Sequence, residues 1–181
     1  MSPAIPIKDS WKFCPQCGAA ANVVGQHPFH CRKCEYRHYF SPCTAVGALI
    51  VDAAGHMLFI VRGKDPGAGK LGLPGGFVDA RETAEQALVR EVGEELNLQV
   101  TEFSYLASFP NVYAYAGVII DVTDLFFVAH VASFDSITAQ AGEVTDWKFV
   151  APGSVTGDML AFDTHRLAID AYRKHTAADG R

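Results

Sequence analysis

Apolar residues recur at four-residue steps through Ala84, Leu88, Val92 and Leu96, the stripe of a helix that lays one face on a core. Thr83, followed three residues later by Gln86, has the form of a capping box and marks the start of that helix. Ahead of it, Leu73-Pro74-Gly75-Gly76 cannot continue as helix or strand without a break. Residues 76–98 therefore read as a glycine turn feeding a helix. On either side the pattern changes to β-branched and apolar runs. Residues 44–51 and 57–62, separated by Asp52-Ala53-Ala54-Gly55, predict a hairpin. Residues 63–72 form a glycine- and lysine-bearing loop, and residues 100–108, 125–131 and 144–150 predict further strands. Asp163 or Thr164 can cap a last helix through about Lys174, with Leu167, Ile169 and Tyr172 as an imperfect apolar face. This order predicts an α/β fold in which a mixed sheet carries a helix on each face.

Composition agrees with a globular chain. Its 181 residues, 49% hydrophobic and 19% charged, suffice for one ordinary domain and a small accessory module. The longest apolar runs, such as 45–51, fall far short of the ~20 residues that cross a bilayer, so no membrane partner is expected. The opening MSPAIPIKDSWKF has no charged-then-apolar signal architecture, and a cytoplasmic protein is the expectation. A net charge of −5 without a polybasic stretch argues against broad affinity for nucleic acid. An acidic protein that handles phosphates needs a metal or a local basic group between the charges. The oligomeric state is open, a homodimer included.

Two Cys-x2-Cys knuckles, Cys14/Cys17 and Cys31/Cys34, are separated by thirteen residues. Thiolates at this spacing close tetrahedrally around Zn²⁺, which lets a segment without much core hold a fold. The segment 14–40 looks like a zinc ribbon, with a structural and therefore closed site. Two disulfides are the competing reading, which a cytoplasmic setting disfavours. His27, His30 and His38 are spare, because four cysteines complete the site, and the odd Cys43 reads as a small buried hydrophobe. Lys12, Arg32, Lys33 and Arg37 give the segment a positive tinge within ordinary surface composition, so a scaffold role is expected.

Beside the apolar stripe of the central helix lie Glu91, Glu94 and Glu95, within a sector of roughly 100°. Like charges this close repel unless a cation sits among them, and carboxylate oxygens are ligands that Mg²⁺ and Mn²⁺ prefer. Gly76, Glu82 and the run Arg90-Glu91-Val92-Gly93-Glu94-Glu95-Leu96-Asn97-Leu98 are spaced as in G-x5-E-x7-R-E-U-x-E-E-x-G-U, with U a bulky aliphatic residue. This resembles the signature of the Nudix hydrolase family. The resemblance covers 23 residues with one departure, Asn97 for glycine, and Asn is the non-glycine residue that best tolerates the left-handed end of a helix. The resemblance implies an α/β/α sandwich over residues 41–176, between an N-terminal module (a tail, 1–13, and the ribbon) and a C-terminal tail, 177–181. It implies hydrolysis of a nucleoside diphosphate linked to a second group X. It further implies Glu91, Glu94 and Glu95 as catalytic metal ligands, completed by the Gly76 carbonyl, and an ion pair of Glu82 with Arg90 that ties loop to helix. Glycines 75 and 76 let backbone come close to metal and substrate.

Several further residues are candidates. Glu143, in a loop past the sheet, occupies the place where some members of the family carry a general base; a box glutamate is the alternative. Lys64 and Lys70 are placed to meet substrate phosphates, and Phe109, Tyr113 and Tyr115 to stack on a base. A ribbon directly before such a domain resembles NADH pyrophosphatases. Those enzymes carry a further domain ahead of the ribbon and the pattern S-Q-P-W-P-F-P-x-S after the box, where this chain has Ser108-Phe109-Pro110-Asn111-Val112-Tyr113-Ala114-Tyr115. The X group thus stays open between ADP-ribose-like compounds, nucleotide sugars and NADH. The rival readings are a non-catalytic ligand sensor whose ribbon contacts nucleic acid or protein, and a clean-up hydrolase of nucleoside triphosphates.

Overall fold

The computed structural model describes residues 3–178. Its elements run β1 (Ile5–Pro6), α1 (Ile7–Ser10), β2 (Phe29–His30), β3 (Arg37–His38), β4 (Cys43–Ile50), β5 (Met57–Arg62), β6 (Leu71–Gly72), α2 (Ala84–Leu96), β7 (Val100–Tyr115), β8 (Val118–Val131), β9 (Val144–Val150) and α3 (Asp163–Ala178). They form two compact units, Met1–Cys43 with Val112–Val122, and Thr44–Asn111 with Thr123–Arg181. No helix among the described residues is long and apolar enough to cross a membrane.

In the larger unit, period-two alternation sends successive side chains to opposite faces of the strands. Val46, Ala48 and Ile50 of β4, Leu58 and Ile60 of β5, and Phe127 and Ala129 of β8 join Ala87, Leu88, Val92 and Leu96 of α2 in one core. Their neighbours Leu49, Met57, Phe59 and Phe126 join Ala168 and Ile169 of α3 in a second core. One helix on each face makes the α/β/α sandwich. The capping box of Thr83 and Gln86 is formed in both directions, and Asn97 closes α2 in the left-handed conformation, at φ 55°.

The predicted hairpin of 44–51 with 57–62 is not what forms. β4 pairs with β8, which also pairs with β7, while β5 lies between β6 and β9 in a three-stranded sheet. Only a bridge from Val51 to Met57 remains between the two runs. Both runs are apolar on both faces and find partners on non-local strands, β5 in the middle of its sheet and β4 at the end of its own, beside β8. β7 and β8 are also much longer than the expected 100–108 and 125–131. They extend to a two-residue turn, Ala116-Gly117, with φ of 50° and 80°, the doubly left-handed geometry that matches strand twist in a tight hairpin. The extension carries mixed residues rather than a clean apolar run. α3 continues beyond Lys174 to Ala178, so the expected C-terminal tail begins in helix and its residues 179–181 lie outside the described residues.

In the smaller unit, β1 pairs in parallel with the start of β8, Ile5 against Val118, so residues expected to be a tail are structured; Met1 and Ser2 lie outside the described residues. β2 and β3 make a short antiparallel ribbon, Phe29 against His38. Trp11 stacks on His38, with ring centroids 4.6 Å apart, and meets Phe29 and Phe40 edge-on. Cys43 is exposed, contrary to the buried reading, because it opens β4 before that strand enters the core.

Candidate metal centres and active site

The site in the larger unit is built on the glycine turn. Gly72 is the last residue of the β5 ladder, paired with Ile60. The chain then crosses to β4, where Ala48 N–H donates to the Pro74 carbonyl and Val46 N–H to the Gly76 carbonyl, both at 2.8 Å. Gly75 has φ 145°, and a Cβ there would strike the Val46 carbonyl. A Cβ on Gly76 would strike the Glu91 carboxylate. Glycine is thus required twice, once against backbone and once against a candidate ligand. Gly75 N–H donates to Glu95 Oε2 at 2.8 Å, tying turn to helix.

Arg90 organises the carboxylates. Its Nε and Nη2 hold Glu82 at 2.8 and 2.9 Å, a bidentate pair, and Nη2 also donates to the Phe77 carbonyl at 3.1 Å. Nη1 donates to Glu91 Oε1 at 2.8 Å and to Glu94 Oε2 at 3.2 Å. The Arg90 hydrogen bonds, then the Asp79 N–H, hold the Glu82 carboxyl down to about 2. Its partners in turn push the Arg90 guanidinium further up, Glu82 foremost, so it is permanently charged. Burial pushes Glu91 up, opposed by Arg90. Burial pushes Glu95, only 6% exposed, up to about 8 against the Gly75 N–H, with Glu91 and Glu143 adding repulsion.

These residues fit a divalent cation. The donors are hard carboxylate oxygens and a carbonyl, and Glu95 is a buried acid that only a nearby positive charge would keep ionised. The glutamate oxygens are not yet gathered to a point. Among the described residues, the one set of three or more candidate ligands with all atoms within 4.8 Å of one another is Cys14, Cys17, Cys31 and Cys34.

That quartet is formed by two knuckles of the same local shape. The carbonyls of Cys14 and Cys31 accept from the N–H four residues on, at Gly18 and Glu35. Both of those residues are left-handed, with φ of 71° and 59°. Sulfurs of Cys14 and Cys34, and of Cys17 and Cys31, stand 3.7 Å apart. The Cys31 thiol is lowered to about 7, first by the Cys34 N–H. Cys34 goes up to about 12, where the favourable Tyr36 N–H is outweighed by burial and the neighbouring sulfurs. Four sulfurs this close cannot all ionise without a cation, which is the chemistry of a tetrahedral thiolate site.

The other candidates are dispersed. Glu143 pairs with Lys64 at 2.9 Å, both side chains more than half exposed. It lies near enough to raise the carboxyls of both Glu91 and Glu95. Lys70 is exposed, and its charge lowers the Asp158 carboxyl after that residue's own Thr156 and backbone bonds. Phe109 packs on Phe126 in the second core, centroids 6.2 Å apart, so its ring is occupied in packing. Tyr113 and Tyr115 belong to the other compact unit, Tyr115 at 66% exposed. Two residues next to the site were not anticipated. Arg62 lies 5.0 Å over the Phe162 ring and bears electrostatically on Glu95. His165 is buried and accepts from Leu73 N–H at 3.3 Å. Thr164, His165, Ala168 and Ile169 are the buried face of α3, and the 164/165/168/169 spacing was the available signal.

A sequence profile of the NUDIX domain matches residues 41–171. The chain belongs to the NUDIX family. Over 107 residues it is 34% identical to the NAD-capped RNA hydrolase NudC of Vibrio vulnificus, covering 58% of this chain and 40% of that protein. Over 64 residues it is 44% identical to the ADP-ribose pyrophosphatase of Methanocaldococcus jannaschii, covering 35% of this chain and 37% of that one. The chain thus matches less than half the length of either relative. A NUDIX hydrolase from Nitrosomonas europaea superposes with a TM-score of 0.68 at 24% identity, over 91% of this chain and 92% of that one, a likeness of fold.

Proposed function

We propose that this chain hydrolyses the pyrophosphate bond of a nucleoside diphosphate linked to X, with ADP-ribose turned over at least as well as NADH, and that Glu91, Glu94, Glu95 and the Gly76 carbonyl hold Mg²⁺ or Mn²⁺. The observation that carries it is the Gly75–Gly76 turn packed against Glu91 and bonded to Glu95. A divalent cation there supplies neutralisation of phosphate oxygens and a water acidic enough to act near neutral pH. The chain's own residues do the rest. Arg90 and Glu82 fix loop to helix, so that turn and carboxylates keep one geometry. Glu143, which meets Lys64 at 2.9 Å, takes the proton of the attacking water. Lys70 faces the phosphates from its loop.

The relatives' names support the substrate class, since ADP-ribose and an NAD cap both join adenosine through a diphosphate to a second ribose. We further read the cysteine quartet as a structural Zn²⁺ site, residues 14–40 as its ribbon and 41–176 as the catalytic domain. A cytoplasmic setting, where thiols stay reduced, belongs to the same reading. The test is kcat/KM for ADP-ribose, NADH, ADP-glucose, an oxidised dGTP, AMP and a short NAD-capped RNA, under Mg²⁺ and Mn²⁺ with products identified by mass. ADP-ribose cleaved to AMP and a sugar phosphate, with AMP itself inert, is the expected result. Exclusive use of NADH, of the capped RNA or of the triphosphate overturns the substrate. Silence on the whole panel with metal bound makes the protein a ligand sensor.

A further inference from the structure

Between the last residue of the β5 ladder, Gly72, and the first bond to β4, at Pro74, one residue belongs to neither ladder. That residue is Leu73, itself only 3% exposed. A buried N–H without an acceptor bears the full cost of its desolvation, and no strand carbonyl is in register to take it. The acceptor comes instead from 92 residues away, at His165 Nδ1 on α3. The rest of that imidazole is set among aromatic rings, edge-on to Phe126 and Phe162 at 5.9 and 5.3 Å. An apolar residue would fill the same space but would leave the Leu73 N–H bare.

We propose that His165 is a positioning residue for the glycine turn, its Nδ1 fixing Leu73 and thereby the direction in which Gly75 and Gly76 face Glu95 and Glu91. The turn is then held on three sides. β4 holds the carbonyls of Pro74 and Gly76, α2 holds Gly75 N–H through Glu95, and α3 holds Leu73 N–H. With Leu73 released, the two strand bonds and the Glu95 bond remain, but the turn regains freedom at its first residue. Accepting at Nδ1 requires a neutral ring with its proton on Nε2. Burial, and then the charge of Arg62, lowers the imidazole to about 3, which keeps it in that form.

The inference rests on the reading that Gly76 and the glutamates hold the cation, and its test separates the two. His165→Leu keeps the apolar packing and removes the acceptor, whereas His165→Asn places Oδ1 where Nδ1 stood. Mn²⁺ affinity without substrate and hydrogen exchange at the Leu73 amide are measured for both and for the wild type. In His165→Leu we expect Leu73 exchange to accelerate and the Mn²⁺ Kd to rise about tenfold, the usual scale for losing an outer support of a metal site. His165→Asn should recover most of both. Wild-type affinity in His165→Leu overturns this inference alone, and absence of Mn²⁺ binding by the wild type overturns the metal reading and the inference with it. Should the leucine variant not fold, the imidazole ¹⁵N shifts of the wild type decide. Protonated Nε2 with bare Nδ1 at neutral pH is expected, and a proton on Nδ1 overturns the proposal.

Discussion

In the cysteine quartet every candidate ligand atom already lies within 4.8 Å of the others. In the glutamate box the carboxylates of Glu91 and Glu94 are instead joined through Arg90 Nη1, and Glu95 is bonded to Gly75. The difference follows from what each ligand set can do without a metal. Thiols can remain protonated and pack, so knuckles shaped by backbone turns can gather them in advance. Carboxylates brought together would repel, so the fold supplies a guanidinium and backbone N–H groups to hold them near but apart. The first arrangement is closed and suits a structural ion. The second leaves Glu94 half exposed and offers a place that substrate phosphates can share.

The comparison breaks first at the quartet, where the expected effect is largest. Structural Zn²⁺ contributes roughly 10–16 kcal/mol to folding in small modules, so Cys31→Ser should abolish the single Zn²⁺ per chain and leave residues 11–40 unprotected in hydrogen exchange. Turnover at saturating substrate should hold, since a closed site does no chemistry. Elemental analysis after anaerobic purification checks the count. A metal-free chain with intact disulfides would refute the zinc reading. The next effect falls on the box. Glu94→Gln or Glu95→Gln should cut kcat by at least ~10²-fold, about 2.7 kcal/mol of transition-state stabilisation. Metal-free thermal stability should hold or rise in both, because a repelling charge is gone. Unchanged turnover would take the altered glutamate out of the metal site and leave Glu95 a buried acid held by the Gly75 N–H.

How far each region could be read from the chain follows from the range of its contacts. α2 was legible to its caps because Thr83, Gln86 and Asn97 act within a few residues of themselves. The Glu82–Arg90 pair was legible only through the family signature, and the cysteine spacing through the knuckle pattern. Strand partners were not legible. Residues 44–51 and 57–62 are adjacent in sequence, yet their faces are buried by α2 and α3, which no local pattern reports. His165 was missed because a polar residue interrupts the apolar count of α3. Its role becomes visible only when Leu73 is seen between two ladders. The packing of Phe109 on Phe126 was not legible either, because an aromatic near a strand reads equally as core or as a surface for a base.

A smaller effect sharpens the contrast at Arg90. If the guanidinium keeps the carboxylates in place, Arg90→Lys should lose the bidentate hold on Glu82 and one of the two bonds from Nη1. Hydrogen bonds to charged groups contribute about 1.5–3 kcal/mol each when partners are partly buried. Glu82 is 14% and Arg90 27% exposed, so a loss near the low end is expected in urea unfolding of the metal-free protein. A variant as stable as wild type would show that the loop and helix are held by packing alone.

The smallest effect is a pH dependence, and it isolates the same pair. Glu82 is held at about 2 in the folded chain, below its ordinary 4.5, first by Arg90 and then by the Asp79 N–H. As pH falls below 4.5, the unfolded chain takes up this proton before the folded one does. The pair's contribution is therefore complete above 4.5, declines as pH falls through about 2, and is absent once both states are protonated. Many other carboxylates titrate in the same window, so the wild-type curve alone does not report on Glu82. The difference from Glu82→Gln does, because glutamine has the shape of the protonated acid and no charge to lose. The stability gap between the two proteins, measured by denaturant midpoints without metal, should be constant from pH 7 down to 5 and then close toward pH 2. A gap that stays constant through that range would mean that Arg90 holds glutamate and glutamine equally well, and that the link from loop to helix depends on shape rather than charge.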